Sequence, residues 1–208
     1  MMRRLFWLCV GLLCLQAPVW AQEWPSKPIR LIVPFPAGGT TDLVARMVQP
    51  KFQEFLGAQI VIENRAGASG ALGLQVASKS PPDGHTLVLG TSSTHAINPH
   101  LQQDLGYDAF RDFAPVAMLI TAPNVLAVDA SLPVRSVKEL IDYARAHPGK
   151  VSYGSCGNGS VQHIAGELLI QMANITLVHV PYKGCAEGIP QLLNGDVDFL
   201  INTVANLQ

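Results

Sequence analysis

The apolar residues along this chain fall by turns into short continuous runs and into helical intervals, which is typical of strands that alternate with helices. Ile29–Val33 is short and rich in β-branched residues, whereas the apolar positions between 43 and 55 recur at helical spacing. Strands are predicted at 29–33, 59–63, 86–90, 116–120, 125–128, 150–154 and 177–182, and helices at 43–55, 71–78, 134–146 and 161–173.

This order predicts the α/β fold class, with mostly parallel central sheets and helices on both faces. Ligands of such sheets bind in the crevice at the carboxyl ends of the strands. A break after Phe113-Ala114-Pro115 separates two such series of elements. We therefore expect two α/β lobes, the first spanning residues 22–122 and the second residues 123–208.

A glycine-rich turn joins the first strand to the first helix, with Gly39 or Thr40 as the expected N-cap. The first-turn amides of a helix have no partner within the helix, and the helix dipole adds about half a positive charge there. A carboxylate can therefore bind at this turn without a cationic side chain. A plain helix cap that binds nothing is the alternative interpretation.

A second glycine-rich turn, at 155–160, repeats this design with Ser160 as the expected N-cap and His163 on the helix that follows. The hydroxyl-rich loop 91–94 ends another strand and is expected at the same sheet edge as the first turn. One glycine-rich turn in each lobe favours a ligand that is held in a cleft from both sides.

The first 21 residues have the pattern of a cleavable secretory signal peptide. Arg3 and Arg4 precede an apolar run, and small residues lead to a predicted cleavage site after Ala21. The apolar run is shorter than the roughly 20 residues that a membrane-spanning helix needs. We therefore expect an exported, periplasmic protein that loses Cys9 and Cys14 with its signal.

Charge and motif content argue against several classes of partner. The formal net charge is −1 and 14% of residues are charged, so no basic face is available for nucleic acid. The histidines show no metal-ligand spacing. The segment 67–73 has regularly spaced glycines but lacks the start of a dinucleotide fingerprint. We therefore expect no nucleic acid, no metal and no cofactor.

Cys156 and Cys185 are the two cysteines that remain after export. Both follow predicted strands of the second lobe, so they are expected near each other, and an exported protein permits a disulfide. Free buried thiols are one alternative. A hydrolase or transferase with Cys156 as nucleophile and His163 as base is another, since cysteine–histidine pairs are a known catalytic arrangement.

Motifs spread along the mature chain carry a family resemblance. They lie at 33–42, 63–68, 82–87, 98–101, 107–108, 112–116, 148–150, 153–155 and 179–184, and include His163. In this order they resemble the Bug, or TctC-like, proteins, which are the periplasmic substrate-binding components of tripartite tricarboxylate transporters.

The resemblance implies a Venus-flytrap receptor, not an enzyme, that captures a small carboxylated solute and delivers it to membrane permease subunits. The implied ligands are dicarboxylates, tricarboxylates, amino acids or aromatic acids, held by amides, hydroxyls and ordered water. The expected ligand-binding residues are Pro36, Ala37, Gly38, Gly39, Thr40, Thr41, Asp42, Thr91, Ser92, Thr94, Ser155, Gly157, Asn158, Gly159, Ser160 and His163.

Asp42 has two interpretations, because a carboxylate in a first helical turn favours the helix dipole but repels an anionic ligand. It caps the helix, or it receives an amino or hydroxyl group of the ligand.

Members of the family run considerably further than Gln208, so the second lobe is expected to be incomplete. A non-functional truncated remnant is therefore an alternative to a transport receptor. An exported ligand sensor for a two-component signalling system is a further alternative.

Overall fold

The computed structural model describes residues 23–207. The predicted signal peptide lies outside these residues. The strands are β1 (Ile29–Val33), β2 (Ile60–Asn64), β3 (Thr86–Val88), β4 (Asn124–Val128), β5 (Ser152–Ser155), β6 (Val178–Pro181) and β7 (Phe199–Thr203). The helices are α1 (Thr40–Leu56), α2 (Ala71–Ser78), α3 (Asn98–Leu101), α4 (Val137–Ala146), α5 (Val161–Ala173) and α6 (Gly188–Leu193).

Elements β1 to α3 form the first unit, built on a parallel sheet of order β2-β1-β3. Strand β1 is central, with Leu31 aligned to Ile62 on one side and Leu87 on the other. Its Ile29, Leu31, Ile32 and Val33 are buried, as expected for an interior strand that is apolar on both faces. Helices α1 and α2 both pack against this sheet, and Ala45 of α1 lies in its core.

Elements β4 to β7 form the second unit, built on a sheet of order β4-β7-β5-β6. Strand β5 runs parallel to both β6 and β7, whereas β4 runs antiparallel to β7. Its core includes Tyr153 and Phe199, whose rings stack with centroids 5.7 Å apart. The carboxyl ends of the parallel strands in this sheet meet at the edge where α5 begins.

The predicted strand at 116–120 is wrong. This segment is apolar, but it pairs with no strand in residues 23–207 and has no regular secondary structure. Val116 and Met118 are each 85% exposed. A strand needs a neighbouring strand to take up its backbone hydrogen bonds, and the apolar pattern of a segment does not show whether such a strand is present.

The predicted helix at 134–146 also begins too early, because α4 starts at Val137. Ser136 is extended at the N-cap, and its hydroxyl accepts from the N–H of Glu139 at 3.2 Å. The serine cap therefore sets the start of the helix, and residues 134–136 lie before it.

The expected fold class is confirmed: the protein is α/β with mostly parallel sheets. The boundary between lobes at residue 122 remains a prediction. In the described part of the chain, no helix has both the length and the apolar character needed to cross a bilayer.

Candidate ligand-binding cleft

A cavity of about 510 Å³ lies between the two units. The β1–α1 turn and the loop 90–93 line it from the first unit, and the start of α5 and the end of β7 line it from the second. The apolar segment 116–122 forms a further wall. No charged side chain occurs among the described residues that line this cavity.

The expected site residues divide into two groups by their position. Those that line the cavity are Pro36, Gly39, Thr40, Thr41, Thr91, Ser92 and Ser160. Those that do not line it are Ala37, Gly38, Asp42, Thr94, Ser155, Gly157, Asn158, Gly159 and His163.

The first turn of α1 presents open backbone donors at the cavity. Its N-cap is Gly39, one of the two predicted residues, and no side chain caps it. No acceptor within residues 23–207 takes the N–H of Thr40 or Thr41. The backbone at Gly39 has φ −78° and ψ 165°, a conformation open to any residue, and within 4 Å a Cβ added there would meet only the Pro36 carbonyl oxygen, at 3.4 Å.

The first turn of α5 differs, because hydroxyl groups of the protein already accept hydrogen bonds from its backbone N–H groups. The Ser160 hydroxyl accepts from the N–H of His163 at 3.1 Å. The N–H of Val161 donates to the hydroxyl of Ser93, a residue of the first unit, at 3.2 Å. Of the two helix starts at the cavity, that of α1 is therefore the more open to an anion.

Asp42 is occupied by protein donors and is only 2% exposed. Its carboxylate accepts from the Gly38 N–H at 2.9 Å, from Arg46 Nε at 2.8 Å and from Asn64 Nδ2 at 2.9 Å. Burial opposes its ionisation, but these hydrogen bonds outweigh burial and hold the pKa of the carboxyl below its usual value. Asp42 therefore fixes the glycine turn against β2.

Thr94 has a similar supporting role after β3, at the start of the single π-helical turn Ser93–Ile97. It is fully buried, and its Oγ1 accepts from the Thr91 N–H at 2.9 Å. The Tyr107 hydroxyl donates to the Thr94 carbonyl at 2.6 Å. These bonds shape the loop so that Thr91 and Ser92 line the cavity while Thr94 does not.

A polar network supports the 155–160 turn from beneath. Ser155 Oγ lies 2.7 Å from His179 Nε2, and the rings of His163 and His179 stack with centroids 4.3 Å apart. The Gly159 N–H donates to His163 Nδ1 at 3.2 Å. Burial, with the neighbouring His163, lowers the pKa of His179. The hydroxyl and both rings thus position the turn rather than line the cavity.

The two units touch each other around the rim of the cavity. The Thr40 hydroxyl donates to Asn206 Oδ1 at 3.0 Å and lies 2.5 Å from Thr203 Oγ1. The Ser69 hydroxyl donates to the Asn158 carbonyl at 2.5 Å. These contacts use neutral hydroxyl and carbonyl groups, and they bring the two glycine-rich turns to opposite sides of one cavity.

Cys156 and Cys185 form a disulfide, and both line the cavity. The bond ties the 155–160 turn to the loop that follows β6. Of the alternatives that the sequence left open, the structure contains the disulfide, and it leaves Cys156 no thiolate with which to act as a nucleophile.

Sequence reasoning missed several residues of the cavity wall. They are Ser93, Asn124, Gln162, Thr203 and Asn206. Ser93 could have been found, because it lies between two hydroxyl residues that were selected. The others lie at the starts or ends of elements in the second unit, where nothing in the local sequence marks a neutral polar residue as part of a site.

Comparison with known proteins finds a matching family model and relatives that are similar in sequence. The family model described as "Tripartite tricarboxylate transporter family receptor" matches residues 44–208. Protein BugT of Bordetella pertussis is 38% identical over 182 residues, which are 87% of this chain and 56% of BugT.

Two solved structures extend this similarity to the fold. The structure of R. palustris Rpa4515 with adipate has a TM-score of 0.86 and 39% identity, covering 89% of this chain and 62% of that one. The structure of MatC from Rhodopseudomonas palustris with bound malate has a TM-score of 0.82 and 32% identity, covering 88% of this chain and 63% of that one. The chain thus spans a little more than half the length of the curated relatives it matches.

Proposed function

This chain belongs to the tripartite tricarboxylate transporter receptor family, and we propose that it binds a small carboxylate in the cavity between its two units and delivers it to membrane permease subunits. The family consists of periplasmic solute receptors rather than enzymes. The adipate and malate in the related structures support a carboxylate ligand for this chain.

One observation carries the proposal: the open first turn of α1 faces a cavity without charged side chains. A ligand carboxylate accepts from the N–H groups of Thr40 and Thr41, where the helix dipole favours an anion. The Ser92 hydroxyl, which makes no hydrogen bond within residues 23–207, supplies a further donor. Thr91 and Ser160 complete the polar wall.

Asp42 does not take part in ligand binding in this proposal, because its oxygens already accept from three protein groups. Its role is to hold the turn so that the amides of Thr40 and Thr41 point into the cavity.

Thermal unfolding of the purified chain in the presence of a panel of acids tests this function. The panel contains adipate, malate, a tricarboxylate, an aromatic acid and glutamate, each at millimolar concentration. An acid that binds only the folded chain adds about 2.7 kcal/mol of stability at a hundredfold excess over its dissociation constant. No shift with any acid, in a chain that unfolds cooperatively, would contradict the proposal.

A periplasmic location is part of the proposal. N-terminal sequencing of the chain recovered from the periplasmic fraction should begin at Gln22. An uncleaved chain in the cytoplasmic fraction would contradict export.

A further inference from the structure

The second unit contains two asparagine–glycine pairs, Asn158-Gly159 and Asn194-Gly195. An asparagine in this position loses its side-chain amide readily, because glycine has no Cβ to hinder attack by its backbone nitrogen on the asparagine carboxamide. Both asparagines are exposed, so burial protects neither of them. Both pairs are therefore candidate sites of deamidation, and they differ in the group that the glycine N–H contacts.

At the first pair, the glycine nitrogen lies beside a base. The Gly159 N–H donates to Nδ1 of His163 at 3.2 Å, and a ring nitrogen that accepts a hydrogen bond carries no proton. Within residues 23–207, Asn158 makes a hydrogen bond only through its main-chain carbonyl, so its carboxamide is free to turn toward the Gly159 nitrogen. Gly159 has φ +80°, a left-handed conformation that favours glycine, so the turn itself requires this pair.

At the second pair, the glycine nitrogen lies beside a main-chain carbonyl instead. The Gly195 N–H donates to the Leu192 carbonyl at 3.1 Å, and a carbonyl oxygen does not take up an amide proton. Asn194 itself has φ −87° and ψ −7°, so it continues the backbone conformation of α6. The same dipeptide therefore occurs once beside a histidine base and once at the hydrogen-bonded end of a helix.

We propose that Asn158 is a site of spontaneous deamidation for which His163 is the base. His163 Nδ1 takes the proton of the Gly159 N–H while this nitrogen forms a bond to Cγ of Asn158. The Cγ–Nδ2 bond breaks, the proton passes to the leaving nitrogen, and ammonia departs to leave a five-membered succinimide. Water then opens the ring at either carbonyl and produces aspartate or isoaspartate at position 158. This inference does not depend on the proposed function.

The modification changes the contact between the two units. The main-chain carbonyl of Asn158 accepts from the hydroxyl of Ser69, a residue of the first unit. In isoaspartate the main chain runs through the former side chain, so it is one carbon longer and this carbonyl becomes part of a free carboxylate. Either product also adds a negative charge to the turn at 155–160. The Ser69 contact is therefore altered in chains that carry isoaspartate.

Peptide mass spectrometry of the incubated chain tests this proposal, because Asn194 serves as an internal control. The chain is held at neutral pH and physiological temperature, either folded or unfolded in guanidinium chloride, and both asparagine–glycine pairs are followed over time. In the folded chain Asn158 should deamidate at least tenfold faster than Asn194, since a positioned base acts on the first pair only. In the unfolded chain the two rates should agree within about twofold, because the histidine is no longer held beside Gly159.

Two histidine variants test the role of the base. His163→Gln keeps an oxygen acceptor for the Gly159 N–H but removes the base, so it should slow deamidation of Asn158 in the folded chain at least tenfold. His147→Gln is the matched control, because His147 is an exposed histidine of the same unit, and it should leave both rates unchanged. Thermal unfolding confirms that each variant folds.

The outcomes separate the site from its base. If Asn158 in the folded wild-type chain deamidates no faster than Asn194, the site is overturned, and this comparison needs no variant. If Asn158 is the faster of the two but reacts equally fast in folded His163→Gln, the role of His163 is overturned.

Discussion

Ser155 Oγ lies 2.7 Å from His179 Nε2, and this contact turns the serine hydroxyl away from the cavity. The Gly157 N–H also donates to the same oxygen at 3.2 Å. A hydroxyl that is engaged in this way supports the turn and is not available to a ligand.

Ser155→Ala should therefore leave ligand affinity within twofold of wild type. It should lower the free energy of unfolding by about 1 kcal/mol, because His179 loses its hydrogen-bond partner in a partly buried site. Ser92→Ala is the comparison, since Ser92 lines the cavity and its loss should weaken carboxylate binding by about 1 kcal/mol. Isothermal titration measures the affinity of each variant, and urea unfolding measures its stability. If Ser155→Ala weakens binding and Ser92→Ala does not, the ligand contacts Ser155 rather than Ser92.

Gly184→Ala should weaken ligand binding by disturbing the contact between the units. A Cβ added at Gly184 would lie 2.6 Å from Cδ of Pro36, and the extended backbone at Gly184 is itself open to any residue. We expect an affinity loss of about tenfold together with a larger radius of gyration in solution scattering. Pro36→Ala removes the ring atoms that clash, so the double variant should bind about as well as Pro36→Ala alone. If the double variant binds the ligand more weakly than Pro36→Ala alone, a clash with Pro36 does not explain the loss of affinity.

Replacing both Cys156 and Cys185 with serine should lower the free energy of unfolding by about 3 kcal/mol. The disulfide closes a loop with a sequence separation of 29, and opening it restores conformational freedom to the unfolded chain. Denaturant unfolding with and without reductant measures the change. Reductant should destabilise the wild-type chain to the same extent and should leave the double variant unaffected. If the oxidised wild-type chain and the double variant unfold at the same denaturant concentration, the disulfide does not stabilise the fold.

Asp42→Asn should destabilise the chain in a manner that depends on pH. The pKa of Asp42 is lowered in the folded state, so its ionised form stabilises the fold above the unfolded-state pKa of about 3.9. This contribution is lost as the pH falls through the lower folded-state pKa. We expect a difference of about 2 kcal/mol between wild type and variant at neutral pH, which shrinks toward zero in acid.

Urea unfolding between neutral and acidic pH measures this difference. Glu54→Gln is the control, because the exposed Lys51–Glu54 pair contributes little at any pH. A difference that stays constant with pH would mean that the carboxylate charge of Asp42 does not stabilise the turn.

Local patterns in the sequence predicted much of the fold. Strand β1 and helix α5 have the predicted bounds, because each is bracketed by clear signals: a β-branched run before a proline in one case, a serine cap after glycines in the other. The segment 116–120 has an equally apolar pattern but lacks a partner strand. Whether a partner strand is present depends on residues distant in the sequence, so the local pattern does not reveal it. The antiparallel direction of β4 against β7 likewise depends on pairing across a long stretch of chain.

The lining of the cavity was predictable to the extent that backbone geometry defines it. A glycine turn before a helix identified Gly39, Thr40 and Thr41, since open amides follow from helix geometry alone. The pairing of Asn124 with Gln162 joins residues 38 positions apart, and nothing in either neighbourhood indicates it. The same is true of Ser155, whose hydroxyl is directed by a histidine on another strand.

The uncharged wall of the cavity affects the rate at which a carboxylate would bind and the dependence of that rate on salt. Attraction between a carboxylate and buried amide dipoles is short-ranged, and salt screens it much less than it screens exposed charges. The net charge of the chain is −1, so no strong field draws an anion from a distance. If a carboxylate binds as proposed, its association rate should therefore vary little with the ionic strength of the surroundings.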